Sequence, residues 1–550
     1  MDLYRAFLAI VLSFLILVGY QYFFAKPFQQ QPAGVPQAQQ QQVNDSPGNK
    51  TAPLPAAATS AAKTPPSVSV DPNAKDITVD TPLYTAVIKE QGGGFKSFVL
   101  KQYRTKMEKD SGPMQLVSGK DPANLPVLFS LDNGGSATLP TFKTDKAGVS
   151  LTAQQDAATL VMTASLADGI RIVRTLTFHS NNYLIGIEYK VENLTDKSVQ
   201  VSPALSLFNE PFAHASESSK YLFAGSAAYV NGALVETKGK KLSEGPVVLQ
   251  GKVSWVGFVD NYFMASAVPV TGNVRTVTVQ GSEQYVQTVI SEGLQTLAAH
   301  GSQVFDYKVY FGPEKLQILQ EAGHELAKSV NFGWFDVLAK PMLWLLNFFH
   351  QYSGNYGIAI ILVTVLIKLV FWPITQKGMK SMKNMQKLQP KIAKLREKYK
   401  DDPTTMNQEM MALYKTYKVN PVGGCLPMVI QIPFFFALYQ VLLRAIELRH
   451  APFMLWINDL SAPDRLWIGM DIPYLHGIPI MTLLMGSSMY LQQKMTPTTA
   501  DPTQARIMQF LPVIFTFMFI NFASGLVLYW FINNLLSILQ QQLINRQNKA

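Results

Sequence analysis

A few polar side chains lie inside long apolar stretches of this 550-residue chain, and Lys368 is the most costly of them. It lies in Gly354–Pro373 (GNYGIAIILVTVLIKLVFWP), where a central lysine costs about 2.5 to 3.5 kcal/mol in a membrane helix. One explanation is snorkelling, because Pro373 is only about 7 Å further along the helix axis. The other is a hydrated surface, which Thr364 favours because it lies one turn earlier on the same face.

Three more polar residues occur in later apolar stretches, namely Gln431, Trp530 and Asn533. On a helix, Trp530 and Asn533 share a face with Ser537. If these faces meet the Lys368 face, they enclose a polar concavity about halfway across the membrane. Such a site can hydrate and attract polar segments. The spans contain no Ser/His pair or paired Asp, and no nucleotide motif is present, so we expect neither an enzyme nor a cofactor.

The composition is that of a membrane protein with a water-exposed part, since 48% of residues are hydrophobic and only 15% are charged. The net charge of +10 could indicate nucleic-acid binding, but the cations cluster beside apolar stretches, which favours membrane orientation. The single cysteine, Cys425, excludes an internal disulfide, and no cysteine or histidine spacing predicts a metal site.

The chain begins with an apolar stretch, Leu3–Phe24, that no small-x-small cleavage site follows. We predict an uncleaved anchor at 1–25 and a disordered Gln/Pro/Ala-rich linker at 26–75. Residues 76–330 then alternate with period two, as in Tyr183, Ile185, Ile187 and Tyr189, which predicts a large all-β sandwich ending in a helix at Glu314–Lys328. The aromatic-rich segment 331–353 predicts an amphipathic helix at the membrane interface.

Charge asymmetry orients the later segments. Residues 374–420 hold eleven Lys/Arg against four Asp/Glu, whereas 444–471 hold three against four. The positive-inside rule therefore predicts a cytoplasmic helical hairpin at 374–420, capped at Asp402-Pro403, and a periplasmic loop at 444–473. The fold class is thus a multi-pass α-helical membrane protein with a periplasmic all-β domain and cytoplasmic termini. The predicted spans are 1–25, 354–373, 421–443, 474–491, 507–522 and 525–543, followed by a tail at 544–550.

Several long motifs carry a resemblance to a known family. They are KIAKLREKYKDDP, EMMALYKTYKVNP, NPVGGCLPMVIQIPFFFALYQVL, QKMTP and SGLVLYW. With the anchor, tether and β-domain, the whole chain resembles the YidC/Oxa/Alb membrane protein insertases in their Gram-negative form. The resemblance implies a periplasmic β-supersandwich and a five-helix core around a groove open to cytoplasm and lipid. The groove cation falls on Lys368, and the groove's polar residues fall on Thr364, Gln431, Trp530 and Asn533.

The resemblance implies insertion and folding of inner-membrane proteins in the Gram-negative inner membrane, alone or with the Sec translocon. Its implied partners are nascent membrane proteins, the lipid bilayer, and the ribosome or signal recognition particle pathway at the cytoplasmic hairpin, without nucleic-acid specificity. Members of this family commonly have arginine where this chain has Lys368. Lysine lacks the planar fork of arginine, so we expect general attraction at Lys368 instead of a bidentate carboxylate clamp. A secondary transporter is the alternative, although no inverted repeat is visible.

Overall fold

The alternating segments form twenty strands in the computed structural model, which describes residues 71–108, 110–134, 139–212, 223–270, 276–400, 402–417, 419, 426–473, 475–495 and 502–547. The predicted anchor, the predicted linker up to residue 70, Cys425 and Tyr474 lie outside these residues. The strands are β1 (Asp76–Asp80), β2 (Tyr84–Lys89), β3 (Phe95–Arg104), β4 (Pro113–Ser118), β5 (Leu128–Ser130), β6 (Gly148–Ser150), β7 (Ala157–Ser165), β8 (Ile170–His179), β9 (Leu184–Asn193), β10 (Val199–Val201), β11 (Ala204–Asn209), β12 (Gly225–Val230), β13 (Ala233–Lys238), β14 (Val247–Gln250), β15 (Val253–Val259), β16 (Phe263–Pro269), β17 (Thr276–Gly281), β18 (Val286–Ser291), β19 (Gln295–Leu297) and β20 (Ser302–Pro313).

These strands pack into layered sheets around one hydrophobic core. Their orders are β13-β12-β15-β16-β20-β9-β8-β7, β4-β3-β2-β1-β6, β14-β17-β18-β11-β5 and β10-β19. The predicted alternation is confirmed along β9, where Ile185, Ile187 and Tyr189 are at most 2% exposed. In β20 the alternation of buried and exposed side chains fails at Tyr310, because this side chain and both of its neighbours are fully buried. The end of β20 is buried on both faces, and the Tyr310 hydroxyl donates to the Pro313 carbonyl at 2.7 Å.

Arg174 on β8 is a guanidinium fully buried in the β-domain core. Its Nη1 donates to the Gly93 carbonyl and its charge lies 5.4 Å from the Tyr189 ring centroid. Nε and Nη2 have no hydrogen-bond partner among the described residues. Burial lowers the pKa of Arg174, because desolvation disfavours the charged form.

An Arg174→Met variant of the full chain should therefore have a β-domain whose free energy of unfolding is about 1 to 3 kcal/mol higher, because an apolar side chain of similar length replaces an under-satisfied buried charge. The β-domain should then unfold at a higher denaturant concentration. Denaturant titration of the β-domain signal measures the change. The control is Arg171→Met on the same strand, where a partly exposed pair with Glu192 is lost and the change should be below about 1 kcal/mol. A less stable Arg174→Met protein would show that the guanidinium is satisfied and stabilising.

Nine α-helices complete the described fold, together with short 3-10 turns. They are α1 (Gly239–Leu242), α2 (Leu316–Ala322), α3 (Asp336–Ser353), α4 (Tyr356–Lys398), α5 (Pro403–Thr416), α6 (Leu426–Arg444), α7 (Ile480–Met495), α8 (Pro502–Phe519) and α9 (Ser524–Gln547). Of the described helices, α4 is long and apolar enough to cross a bilayer, whereas the apolar parts of α6 and α8, Ile430–Arg444 and Met508–Phe519, are shorter. The helices by themselves therefore do not establish six spans.

Several helix bounds differ from those predicted. The helix expected at Glu314–Lys328 ends at Ala322, because Gly323 adopts a positive φ of 74° and a separate 3-10 turn follows at Leu326–Lys328. The helix that begins at Tyr356 does not stop at Pro373 but continues to Lys398.

The later helices also differ from prediction. The helix expected from residue 474 begins only at Ile480, because Ile478 pairs with Leu466 in a β-bridge and Pro479 follows. Helix α8 covers Pro502–Phe519 where 507–522 was expected. The predicted break before the last helix is confirmed, since α9 begins at Ser524.

Candidate functional site

Lys368 lies in the apolar half of α4 and is 8% exposed. The helix starts at an Asn355 cap, whose side chain accepts from the Ile358 amide at 3.2 Å. Lys368 Nζ donates to the Ser537 hydroxyl of α9 at 2.8 Å. A buried ammonium with a partner on a neighbouring helix favours the polar-surface explanation over snorkelling to the headgroups.

Ser537 connects Lys368 to two other predicted residues. Its hydroxyl donates to the Asn533 backbone carbonyl at 2.8 Å, one turn earlier on α9. The Asn533 side-chain oxygen accepts from Gln431 Nε2 of α6 at 3.1 Å. Lys368, Gln431, Asn533 and Ser537 thus form one hydrogen-bonded network across three helices, which we call the polar cluster.

The other two predicted residues do not hydrogen-bond to the polar cluster. Thr364 is 1% exposed, and its hydroxyl donates back to the Ile360 carbonyl at 2.7 Å. The Trp530 ring packs against Phe435 and Phe519, with centroids 5.0 and 5.8 Å away. Its Nε1 has no hydrogen-bond partner among the described residues. Thr364 shares the Lys368 face of α4, whereas Trp530 belongs to an adjoining aromatic cluster.

Further polar contacts of α9 were not identified as site contacts from the sequence. Asn534 Nδ2 donates to Ser488 of α7 at 3.1 Å, and Gln540 Nε2 donates to Thr375 of α4 at 2.8 Å. Asn534, Ser537 and Gln540 are each at most 4% exposed. The sequence shows these amides and the hydroxyl in the last apolar helix, but it does not show which residues of the other helices they contact.

A loop of residues 451–464, which we call the cap loop, ties the helices together at one end. Asn355 Nδ2 at the start of α4 donates to the Phe453 carbonyl at 2.8 Å. At the start of α9, the Ser524 and Gly525 amides donate to Ala462 and Leu460 at 2.7 and 2.9 Å. Buried Asp464 accepts from the Thr482 amide of α7 at 3.0 Å. The cap loop therefore covers the end of the bundle at which α4, α7 and α9 begin.

A second concavity lies where the β-domain meets the helices. This small cavity, of about 30 Å³, is lined by acidic residues, one arginine, and polar and apolar side chains that include Ser329, Asn331 and Phe332. Its charged residues are Glu236, Asp260, Glu314, Arg444 and Glu447. Desolvation raises the pKa of Glu314 to about 8, so this carboxyl is mostly protonated at neutral pH. Arg444 Nη1 donates to the Asn331 carbonyl at 2.7 Å, so the cavity is part of the joint between domain and helices.

The polar cluster can attract anionic groups and offer hydrogen bonds within an apolar helical bundle. In the described ranges, no carboxylate forms an ion pair with Lys368. No group of three His, Cys, Asp or Glu residues there could hold a metal ion.

Comparisons with known proteins cover almost the whole chain. The family described as 60Kd inner membrane protein matches residues 348–550, and the YidC periplasmic domain family matches residues 76–345. The membrane protein insertase YidC of Syntrophus aciditrophicus is 41% identical over 99% of both chains. That of Syntrophobacter fumaroxidans is 41% identical over 85% of this chain and 86% of its own. A crystal structure of an active YidC insertase shares 20% identity, covers 87% of this chain and 94% of its own, and has a TM-score of 0.36.

Proposed function

The chain belongs to the YidC family of membrane protein insertases, and from this membership we propose that its polar cluster is the groove that receives the polar segments of client proteins. The protein is a membrane protein insertase, and nascent membrane proteins are its substrates. It is an inner-membrane protein with a periplasmic β-domain. This family is not an enzyme family.

The observation that carries the groove proposal is the hydrogen bond from Lys368 Nζ to Ser537 at 2.8 Å, inside an apolar bundle. Membrane proteins keep a lysine in such a place where it faces polar groups or water. A client's hydrophilic segment enters from the cytoplasm and meets Lys368, while its apolar segment moves sideways into lipid. With the cytoplasm negative, moving one acidic charge outward gains about 2.3 kcal/mol per 100 mV.

We extend the proposal to membrane topology. The six spans are the anchor at 1–25, the apolar half of α4, and helices α6 to α9, with both termini in the cytoplasm. The charge difference between residues 374–420 and 444–471 supports this orientation. The cap loop then lies on the periplasmic side, where it closes the groove.

Partner binding is proposed for the cytoplasmic hairpin, formed by the second half of α4 and by α5. Asp402 caps α5 as predicted, since its Oδ1 accepts from the Thr404 and Thr405 amides at 3.1 Å. The hairpin's basic surface suits the anionic ribosome or the signal recognition particle pathway.

We also propose cooperation with the Sec translocon for some clients. The family's activity favours insertion over secondary transport.

Labelling of single cysteines in a Cys425→Ser variant tests the groove. Maleimides react with thiolates, which form in water but not in hydrocarbon, so we expect cysteines at the half-buried positions of the polar cluster, Gln431→Cys and Asn533→Cys, to label at least about tenfold faster than a lipid-facing cysteine. The matched controls are Leu369→Cys and Val370→Cys on α4, whose native side chains are 60% and 63% exposed on the helix surface. Equal, slow labelling at all four positions would mean that the Lys368 face is dry, and the groove proposal would fail.

A further inference from the structure

Ser537 is fixed as a hydrogen-bond acceptor by its own helix. Its single hydroxyl proton is used in the bond to the Asn533 carbonyl, so its lone pairs face the Lys368 ammonium 2.8 Å away. A hydroxyl that donates to the carbonyl one turn earlier is a common arrangement for serine in membrane helices. Ser537 is 4% exposed, so it is enclosed together with the charge that it contacts.

The lysine stem would otherwise be free to move. It has four methylene groups, and lysines in membrane helices near a bilayer surface tend to extend their ammonium toward the headgroups. Within the described part of the chain, no carboxylate pairs with Lys368 to prevent this. Ser537 is the side chain that accepts a hydrogen bond from its Nζ.

We propose that Ser537 is a positioning residue that holds the Lys368 charge against α9, within the groove, where it attracts acidic client segments. This inference rests on the proposed function and adds a second residue to its electrostatic mechanism. Thr375 and Gln540 hold α4 to α9 nearer the cytoplasmic end, so the two helices keep their spacing when Ser537 is replaced.

The test uses purified full-length protein in liposomes without a membrane potential, and two single-span clients that differ only in an acidic or an amide-substituted tail. The readout is the ratio of the acidic-client rate to the neutral-client rate. In Ser537→Ala the charge remains but is no longer held against α9, so this ratio should fall about threefold, less than the roughly tenfold loss expected when Lys368→Ala removes the charge. Ser537→Thr should keep the ratio, because threonine retains the hydroxyl. The matched control is Ser487→Ala on α7, an exposed serine whose hydroxyl donates to the Leu483 carbonyl at 2.8 Å.

A double variant separates positioning from general structural damage. If Ser537 acts through Lys368, then Ser537→Ala should not lower the ratio further in a Lys368→Ala protein. Equal slowing of both clients by Ser537→Ala would overturn the inference, because that pattern indicates damaged packing. An unchanged ratio in Ser537→Ala, with a lowered ratio in Lys368→Ala, would overturn it while leaving the proposed function intact. An unchanged ratio in Lys368→Ala would remove the electrostatic role of both residues.

Discussion

A Lys368→Glu protein is expected to insert acidic-tailed clients about 100-fold more slowly than the unaltered protein. At an effective dielectric of about 20, a pair of unit charges about 8 Å apart interacts by about 2 kcal/mol. Reversing one sign changes this by about 4 kcal/mol, and water in the groove reduces the difference to roughly 2.7 kcal/mol, a factor of about 100. Initial insertion rates in proteoliposomes measure the effect.

Two further variants, Lys368→Ala and Lys368→Arg, separate the loss of attraction from the added repulsion. The alanine variant removes attraction without adding repulsion, so its loss should be smaller, about tenfold. The arginine variant keeps the charge, although its larger fork changes the contact with Ser537. A neutral-tailed client serves as the reference for folding. Normal acidic-client rates in both the alanine and glutamate variants would show that the charge has no role, while groove hydration would remain a separate question.

Local sequence chemistry predicted the parts of the fold that depend on neighbouring residues. The Asp402 cap follows from an acidic residue before proline, and the break before Ser524 follows from a hydrophobic stretch too long for one span. Burial of alternate residues in β9 also follows from the local sequence, because successive side chains of a strand point to opposite faces. Each of these features is decided within one continuous stretch of chain.

Features that depend on tertiary contacts could not be predicted. The sequence identified Lys368 as costly but did not identify Ser537 as its acceptor, because the two residues are 169 positions apart. Helix α4 continues past Pro373, and Thr375 and Gln540 contact the carbonyl groups of the preceding turn, including that of Trp372. The Gln540 contact beside the proline comes from tertiary packing, which the sequence of α4 alone does not reveal. The cap loop has no periodic pattern, so its role is visible only in the fold.

The cap loop leads to a prediction at Gly357, the second residue of α4. An added Cβ there would lie 2.0 Å from Phe453 Cδ2 and 2.4 Å from its Cγ, far inside contact distance. Cγ is next to the Phe453 backbone, so the ring cannot simply rotate away. Gly357→Val should therefore displace the cap loop and destabilise the helical bundle by about 3 kcal/mol, measured as a lower unfolding temperature in detergent.

Displacement of the cap loop should also change access to the groove. When residue 357 is glycine, the thiol of Thr364→Cys should be protected from a membrane-impermeant maleimide added on the periplasmic side. When Gly357→Val is also present, the same thiol should react. The double variant Gly357→Val with Phe453→Ala should recover part of the stability, because the smaller side chain makes room for the added methyl groups. Leu362→Val on the same helix is the control, since Leu362 is 38% exposed and a surface change should stay within about 0.5 kcal/mol. If the double variant recovers stability but its Thr364→Cys thiol still reacts, the Phe453 side chain itself blocks access from the periplasmic side. If the thiol stays unreactive in Gly357→Val, the groove is closed by residues other than the cap loop.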